Sequence, residues 1–443
     1  MAMMSGRMGT GGPGGAGGAG GGKTASSSHL PYLPYQPYLP KGNMRAVRGR
    51  RLIVPIVVVM SLMAGALIAR PYVHGLSFVI RAAQMHGTLR RIADFDAAPP
   101  REREIAIPAA RGALRARIYE PERTPRRAAL LVSGLHPAGI DEPRLVALAR
   151  QLSASGLAIV TPDIPELLRF EITPATTDAI EQAAVWLSSE HALSADGKVG
   201  LMGIGFSGGL AVVAAGRKSM ADHTAFTAAF GGHDDLSRVL RYLCTGVEER
   251  PRHEVRLNPG AVDDQEPFAP PDDGGVAIIL LGVADRVVPP SQVEPLRAAV
   301  RRFLLASYLD GADQPQAERE FAALREAAKR MPQPSATLLR YVNEHDVIHL
   351  GPRLLPFVGL YGGHPALSPS KSPKPSAPVF LLHARDDNVI PAVESEYLVG
   401  DLRGHAPARL LLSGSISHPE ADRPSHVGDM LQLAGFWGDL LSR

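Results

Sequence analysis

The pentapeptide Gly205-Phe206-Ser207-Gly208-Gly209 constrains this chain more than any other stretch, because of what flanks it. Before it, Lys198-Val199-Gly200-Leu201-Met202-Gly203-Ile204 is short and apolar and reads as a buried strand. After it, Leu210-Ala211-Val212-Val213-Ala214-Ala215-Gly216-Arg217 reads as a helix packed on that strand. A strand-to-helix turn this tight is strained and brings the two elements close together, so its neighbours must be small. Gly-x-Ser-x-Gly in that setting lifts a hydroxyl above the sheet and turns the next backbone N–H toward an incoming carbonyl oxygen. The bland alternative is that Ser207 is only a small residue fitting a tight turn. The flanking strand and helix favour the reactive reading.

Further on, Pro378-Val379-Phe380-Leu381-Leu382-His383 reads as a buried strand, followed by Ala384-Arg385-Asp386-Asp387-Asn388-Val389-Ile390-Pro391. A helix candidate near Ala392 to Leu402 comes next. The last strand, Ala408 to Ser413, leads into Gly414-Ser415-Ile416-Ser417-His418, and an amphipathic helix from about Val427 to Leu441 ends the sequence. With these motifs in this order, residues from roughly Arg101 to Arg443 resemble the α/β-hydrolase superfamily, in its serine esterase and lipase-like form.

The resemblance implies a chain order of nucleophile, acid and histidine. It assigns Ser207 as nucleophile, Asp387 as the acid four residues before a proline, and His418 as general base. Asp285 has the same spacing in Leu281-Gly282-Val283-Ala284-Asp285-Arg286-Val287-Val288-Pro289 and is the alternative acid. Asp234 and Asp235, after the strand Ala225 to Phe230, are a third choice. His426 is the alternative base, with an N-cap-like role at the final helix as its bland reading. The oxyanion donors implied are the N–H of Gly208 and that of Leu135, in Val132-Ser133-Gly134-Leu135-His136. The family often has His-Gly at that loop and this chain has Ser133-Gly134. Pro137 has no N–H to offer, and His136 is either a substrate contact or a solvated loop histidine.

Strand and helix candidates alternate through 128–133, 143–155, 157–161, 175–189, 198–203, 207–217 and 224–230. Ahead of them, Glu104–Pro108 and Ala113–Tyr119 suggest an antiparallel hairpin. This rhythm predicts a mostly parallel sheet with helices on both faces. It breaks at about 233–377, read as a mainly helical cap insertion that shapes the substrate pocket.

A second feature concerns location. Leu52 to Ala69 carries no charge and is bounded by Arg51 and Arg70. As a helix it reaches about 27 Å, close to the roughly 30 Å hydrocarbon core of a bilayer. Arg45, Arg48, Arg50 and Arg51 crowd its N-terminal side, which predicts a cytoplasmic N-terminus and an extracytoplasmic body. Ala64-Gly65-Ala66 offers a small-x-small cleavage site, but the run stays apolar beyond it, so an uncleaved anchor is the expectation. Residues 1–43 are rich in glycine and in a Pro-Tyr tract, a composition that buries too little apolar surface to fold. Met44 directly precedes the basic flank and the anchor, the layout of an N-terminal targeting segment. Residues 71–100 read as a juxtamembrane helix that lies on lipid or docks on the body. A fragment starting near Arg101 is expected to be self-sufficient.

Composition narrows the function classes. In 443 residues, 45% apolar, there is enough chain for one large catalytic domain with a real core. The net charge of +3 comes with no arginine–aromatic interleaving, so nucleic acid is not an expected partner. Cys244 is the only cysteine, so no intrachain disulfide forms. No His-Glu-x-x-His, Cys-x-x-Cys or dinucleotide fingerprint is found, and no metal or cofactor is expected. The reading is a membrane-anchored serine hydrolase acting on a small-molecule acyl ester. The alternatives are an acyltransferase with the same triad and a non-catalytic hydrolase-fold binding protein.

Overall fold

The computed structural model describes residues 44–443 apart from 84, 86, 95–96, 126, 251–270, 312 and 415–426. Met63–Arg443 forms one compact unit. Its centre is an eight-stranded sheet of β1 (Arg101–Ala109), β2 (Gly112–Glu120), β3 (Arg127–Val132), β4 (Leu157–Pro162), β5 (Val199–Ile204), β6 (Thr224–Phe230), β7 (Val379–Ala384) and β8 (Ala408–Ser413). The spatial order is β1-β2-β4-β3-β5-β6-β7-β8. Only the β1–β2 and β2–β4 pairs are antiparallel; the others run parallel. This is the α/β-hydrolase fold that the sequence resembles.

The central strands are buried on both faces, which is why they read as unbroken apolar runs. Successive side chains alternate across the sheet. Leu130, Val132 and Leu201 pack on one face with α5 (Pro174–Ser189) and α6 (Phe206–Ala215). Ala129, Leu131 and Met202 pack on the other with α3 (Pro143–Ala154) and α15 (Val427–Leu441). The short α4 (Pro165–Leu168) follows β4, and α14 (Val393–Leu402) links β7 to β8.

Between β6 and β7 the described residues form α7 (Leu236–Thr245), α8 (Asp273–Val287), α9 (Pro290–Asp310), α10 (Gln314–Arg330), α11 (Ser335–Asn343), α12 (Val347–Leu354) and α13 (Val358–Gly362). Buried leucines, isoleucines and valines of these helices, such as Ile279, Leu296 and Leu339, join the same apolar cluster as the α5–α6 face of the sheet.

Helix α1 spans Met44–Ala82, and α2 (Thr88–Ala93) follows it. Ile56–Ala82 is long and apolar enough to cross a membrane. Its C-terminal turns dock rather than stand free. Phe78 lies 4.1 Å from Trp437 of α15, ring to ring, and is 1% exposed. Arg81, 4% exposed, donates to the Ala93 carbonyl at 2.7 Å, to Gln151 at 3.2 Å and to Ser155 at 2.8 Å, so one side chain ties α1 to α2 and α3. Gly75 is required here because a Cβ on it would overlap the Ala434 carbonyl oxygen of α15.

Candidate active site

The turn that joins β5 to α6 is one residue long, and that residue is Gly205. β5 runs through Ile204, paired with Phe230 of β6, and the Gly205 N–H then donates to the Phe230 carbonyl at 2.8 Å. Pairing with β6 therefore fixes where the strand ends. Gly205 has φ 60° and ψ −129°, a conformation strained for any residue with a side chain, and α6 begins at Phe206. The strained residue between strand and helix is where this architecture exposes its nucleophile. Here that position has no side chain. A Cβ placed on Gly205 meets no atom of the described residues within 4 Å, so among them the space above the turn is open.

Ser207 stands two residues further on, inside α6, and this corrects its expected role as nucleophile. It is 0% exposed. Its Oγ accepts from the Ile204 N–H at 2.9 Å and donates toward the carbonyls of Ile204 at 2.8 Å and Val132 at 3.1 Å. The hydroxyl faces down into the sheet and is fully engaged. Ser207 also marks the closest approach of helix to strand, since a Cβ on Gly203 would overlap the Ser207 carbonyl. The bland reading holds: Ser207 is a small residue that fits the turn. Ser207→Ala should leave the Ile204 N–H buried without a partner and lower unfolding stability by about 1–3 kcal/mol. Urea titration by circular dichroism measures this.

The oxyanion assignment shifts with the turn. The Gly208 N–H donates to the Gly205 carbonyl at 2.9 Å and is not free for a ligand. The residue after the turn is Phe206, the first of α6, whose N–H has no partner within the helix. Leu135 does lie in the loop that follows β3. Beside it, His136 Nδ1 accepts from the Ala138 N–H at 3.1 Å, which leaves the proton on Nε2. Burial pushes this imidazole below its ordinary pKa, so it is neutral at pH 7. Its ring meets Tyr308 of α9 edge-on at 4.1 Å, so a cap helix closes against this loop.

Asp387 is at the C-terminal end of β7, two strands along the sheet from β5. Its Oδ1 accepts from the N–H groups of Val389 and Ile390, both at 2.9 Å, and its Oδ2 is 3.5 Å from His383 Nε2. Burial pushes the carboxyl up, but His383 and these backbone donors outweigh it and hold the group below the usual range. His383 is itself fully buried. It donates through Nε2 to the Ile390 carbonyl at 2.8 Å and accepts at Nδ1 from the Ser395 hydroxyl at 2.7 Å. It anchors the loop after β7. A Cβ on Gly231, just after β6, would lie 3.3 Å from Asp387 Oδ2, which brings the carboxylate to the strand that pins the Gly205 turn. His418 and His426 both lie outside the described residues.

The other carboxylates belong elsewhere. Asp285 is within α8, not at a strand end, and faces Arg286 at 3.2 Å and Arg297 at 3.7 Å. The apolar stretch before it reads equally well as strand or buried helix, and packing in the cap makes it helix. Asp234 is 2% exposed and pairs with Arg238 at 3.1 Å, which also binds Glu394 at 2.9 Å. Burial, with Asp401 nearby, pushes the Asp234 carboxyl up to about 7. Asp235 caps α7 and pairs with Lys371. These residues clamp the cap to α14. No cluster of three or more His, Cys, Asp or Glu side chains suited to a metal is found among the described residues.

No protein-family model matches the chain, and no curated protein matches it. Solved structures do. A thermostable carboxylesterase from a metagenomic library is 16% identical, with a TM-score of 0.43 over 85% of this chain and 96% of its own. An esterase from Pyrobaculum calidifontis is 16% identical, with a TM-score of 0.41 over 85% and 93%. A dienelactone hydrolase from Anabaena variabilis is 14% identical, with a TM-score of 0.38 over 77% and 97%. At these identities the likeness concerns the fold.

Proposed function

We propose that this chain of the α/β-hydrolase fold is a membrane-anchored protein that holds a carbonyl- or carboxylate-bearing small molecule above the Gly205 turn and forms no acyl-enzyme. One observation carries the reading: the turn residue that must supply the attacking oxygen is Gly205, while Ser207 is buried beneath it with its hydroxyl bonded to backbone. An acyl-enzyme needs an oxygen above the turn, and so does an acyltransferase using the same triad. What remains is a cradle. The Phe206 N–H at the start of α6 and the Leu135 loop after β3 supply donors, the cap supplies cover, and the missing side chain supplies room.

A second reading keeps hydrolysis. In it a water taking the place of a serine hydroxyl above the turn, with Asp387 held ionised on the loop after β7, attacks a bound ester directly. The open space over Gly205 favours it. In either reading the chain is held by Leu52–Ala69, and the arginine bias places the N-terminus in the cytoplasm and the body outside.

Fluorophosphonate labelling of the full-length protein in detergent tests the proposal. No adduct is expected on wild-type protein. An adduct that disappears in Ser207→Ala would overturn it. Ester turnover without an adduct would select the water route over pure binding.

A further inference from the structure

The Gly205 turn has hydrogen-bond donors on one flank and an unfilled acceptor on the other. The acceptor is Asp387. Its Oδ1 takes the Val389 and Ile390 N–H groups, both at 2.9 Å. Its Oδ2 has only His383 Nε2 at 3.5 Å, and that N–H is already given to the Ile390 carbonyl at 2.8 Å. Among the described residues Oδ2 therefore accepts no hydrogen bond, although an ionised carboxylate offers about four lone-pair sites. A Cβ on Gly231 would lie 3.3 Å from Oδ2, and Gly231 follows Phe230, whose carbonyl takes the Gly205 N–H at 2.8 Å. The covalent geometry between these atoms puts Oδ2 no more than roughly 10 Å from the Gly205 nitrogen.

The donors stand on the opposite flank, because β3 adjoins β5 on the side away from β6 and β7. In the loop after β3, a Cβ on Gly134 would lie 3.5 Å from the Ile204 carbonyl oxygen, just before the turn. Two residues on, His136 keeps its proton on Nε2, since Nδ1 accepts from the Ala138 N–H at 3.1 Å. That Nε2 is buried with no partner among the described residues. A buried N–H left unpaired is a cost that a ligand oxygen removes. The cap touches both flanks. Tyr308 of α9 meets His136 edge-on at 4.1 Å, and the Asp272 N–H at the start of α8 donates to the Asn388 carbonyl at 2.8 Å.

The Asp387 flank is also negative. Burial, followed by Glu248, Asp387 and Asp272, pushes the Tyr242 hydroxyl of α7 up to about 12. Arg250 faces Glu248 at 3.6 Å, but among the described residues no lysine or arginine pairs with Asp387. We infer that the ligand is an amino-carbonyl compound, whose carbonyl oxygen takes the donors beside the turn while its protonated amine pairs with Asp387 Oδ2. The two groups lie within roughly 10 Å of each other. An ammonium suits that oxygen better than a neutral group does, because the pair offsets the cost of keeping a carboxylate out of water. This assignment rests on the reading of the Gly205 turn as a carbonyl cradle.

The test is isothermal titration calorimetry on the full-length protein in detergent, with ε-aminocaproamide and heptanamide as probes. The two are equally long and differ in an ammonium against a methyl group. Wild-type protein should bind the aminoamide about tenfold more tightly, or better. Asp387→Asn keeps an oxygen for the Val389 and Ile390 N–H groups and should abolish that preference while still binding heptanamide. Asp387→Ser puts a hydroxyl in the same place and repeats the comparison should the amide fail to fold. Equal binding of both probes by wild type, or a preference that survives substitution of Asp387, would overturn the pairing and leave the cradle in place. Binding of neither probe would remove the cradle, and the pairing with it.

Discussion

Gly205→Ser should make a protein that fluorophosphonate does not label into one that it does. The new Cβ enters open space, so the change costs backbone strain rather than collision. A side chain at φ 60°, ψ −129° costs about 1–3 kcal/mol, which a domain stable by about 5–15 kcal/mol tolerates. The new hydroxyl stands above the sheet next to the Phe206 N–H, on the strand adjoining β6, where Gly231 meets Asp387. If His418 completes the constellation after β8, labelling should appear from none. It should fall by roughly 10⁴-fold again in Gly205→Ser combined with Asp387→Asn, as an amide holds the histidine in the wrong tautomer. A folded Gly205→Ser protein that stays unlabelled would show that the acid loop and the turn do not form one site.

A fragment that starts at Arg101 should be far less stable than one that starts at Arg70, and should aggregate. This reverses the expectation that the body is self-sufficient from Arg101. Cutting there removes Phe78, Val79 and Ile80, which are 1%, 7% and 6% exposed, and uncovers Trp437 and Phe436 of α15. Each such side chain contributes about 1.5–3 kcal/mol when fully buried, so the loss is on the order of 5 kcal/mol, comparable with the whole stability of a domain. The guanidinium bonds of Arg81 to Gln151 and Ser155 go too. Size-exclusion chromatography and urea unfolding of the two fragments compare them directly. Equal stability and a monomeric Arg101 fragment would show that the α1 docking contributes nothing.

Much of the fold was legible from local pattern. The alternation of apolar runs with helical stretches located six parallel strands and the hairpin before them, because strands buried on both faces carry almost no polar residue and their bounding turns are rich in glycine, proline and aspartate. The loop after β7 was legible as well, since Asp387 follows a buried strand and its carboxylate accepts from the N–H groups of its own loop, a local property. The docking of the C-terminal turns of α1 on α15 was not. Phe78 and Trp437 are far apart in the chain, and nothing near either one names the other.

The turn itself shows where local pattern stops. Gly203-Ile204-Gly205-Phe206-Ser207 and Gly205-Phe206-Ser207-Gly208-Gly209 both present a small residue two places on either side of a centre, so both satisfy the steric demand of a tight strand-to-helix crossing. The second frame has a serine at its centre and the first a glycine. A difference of one or two residues in where a strand ends selects between them, and propensity does not resolve strand ends that finely. Tertiary pairing does. Ile204 lies opposite Phe230 in β6, the Gly205 N–H bonds to the Phe230 carbonyl, and the chain must turn there. The sequence by itself determined that a small-residue turn joins this strand to this helix. The neighbouring strand decided which residue occupies it, and so whether a hydroxyl stands above the sheet.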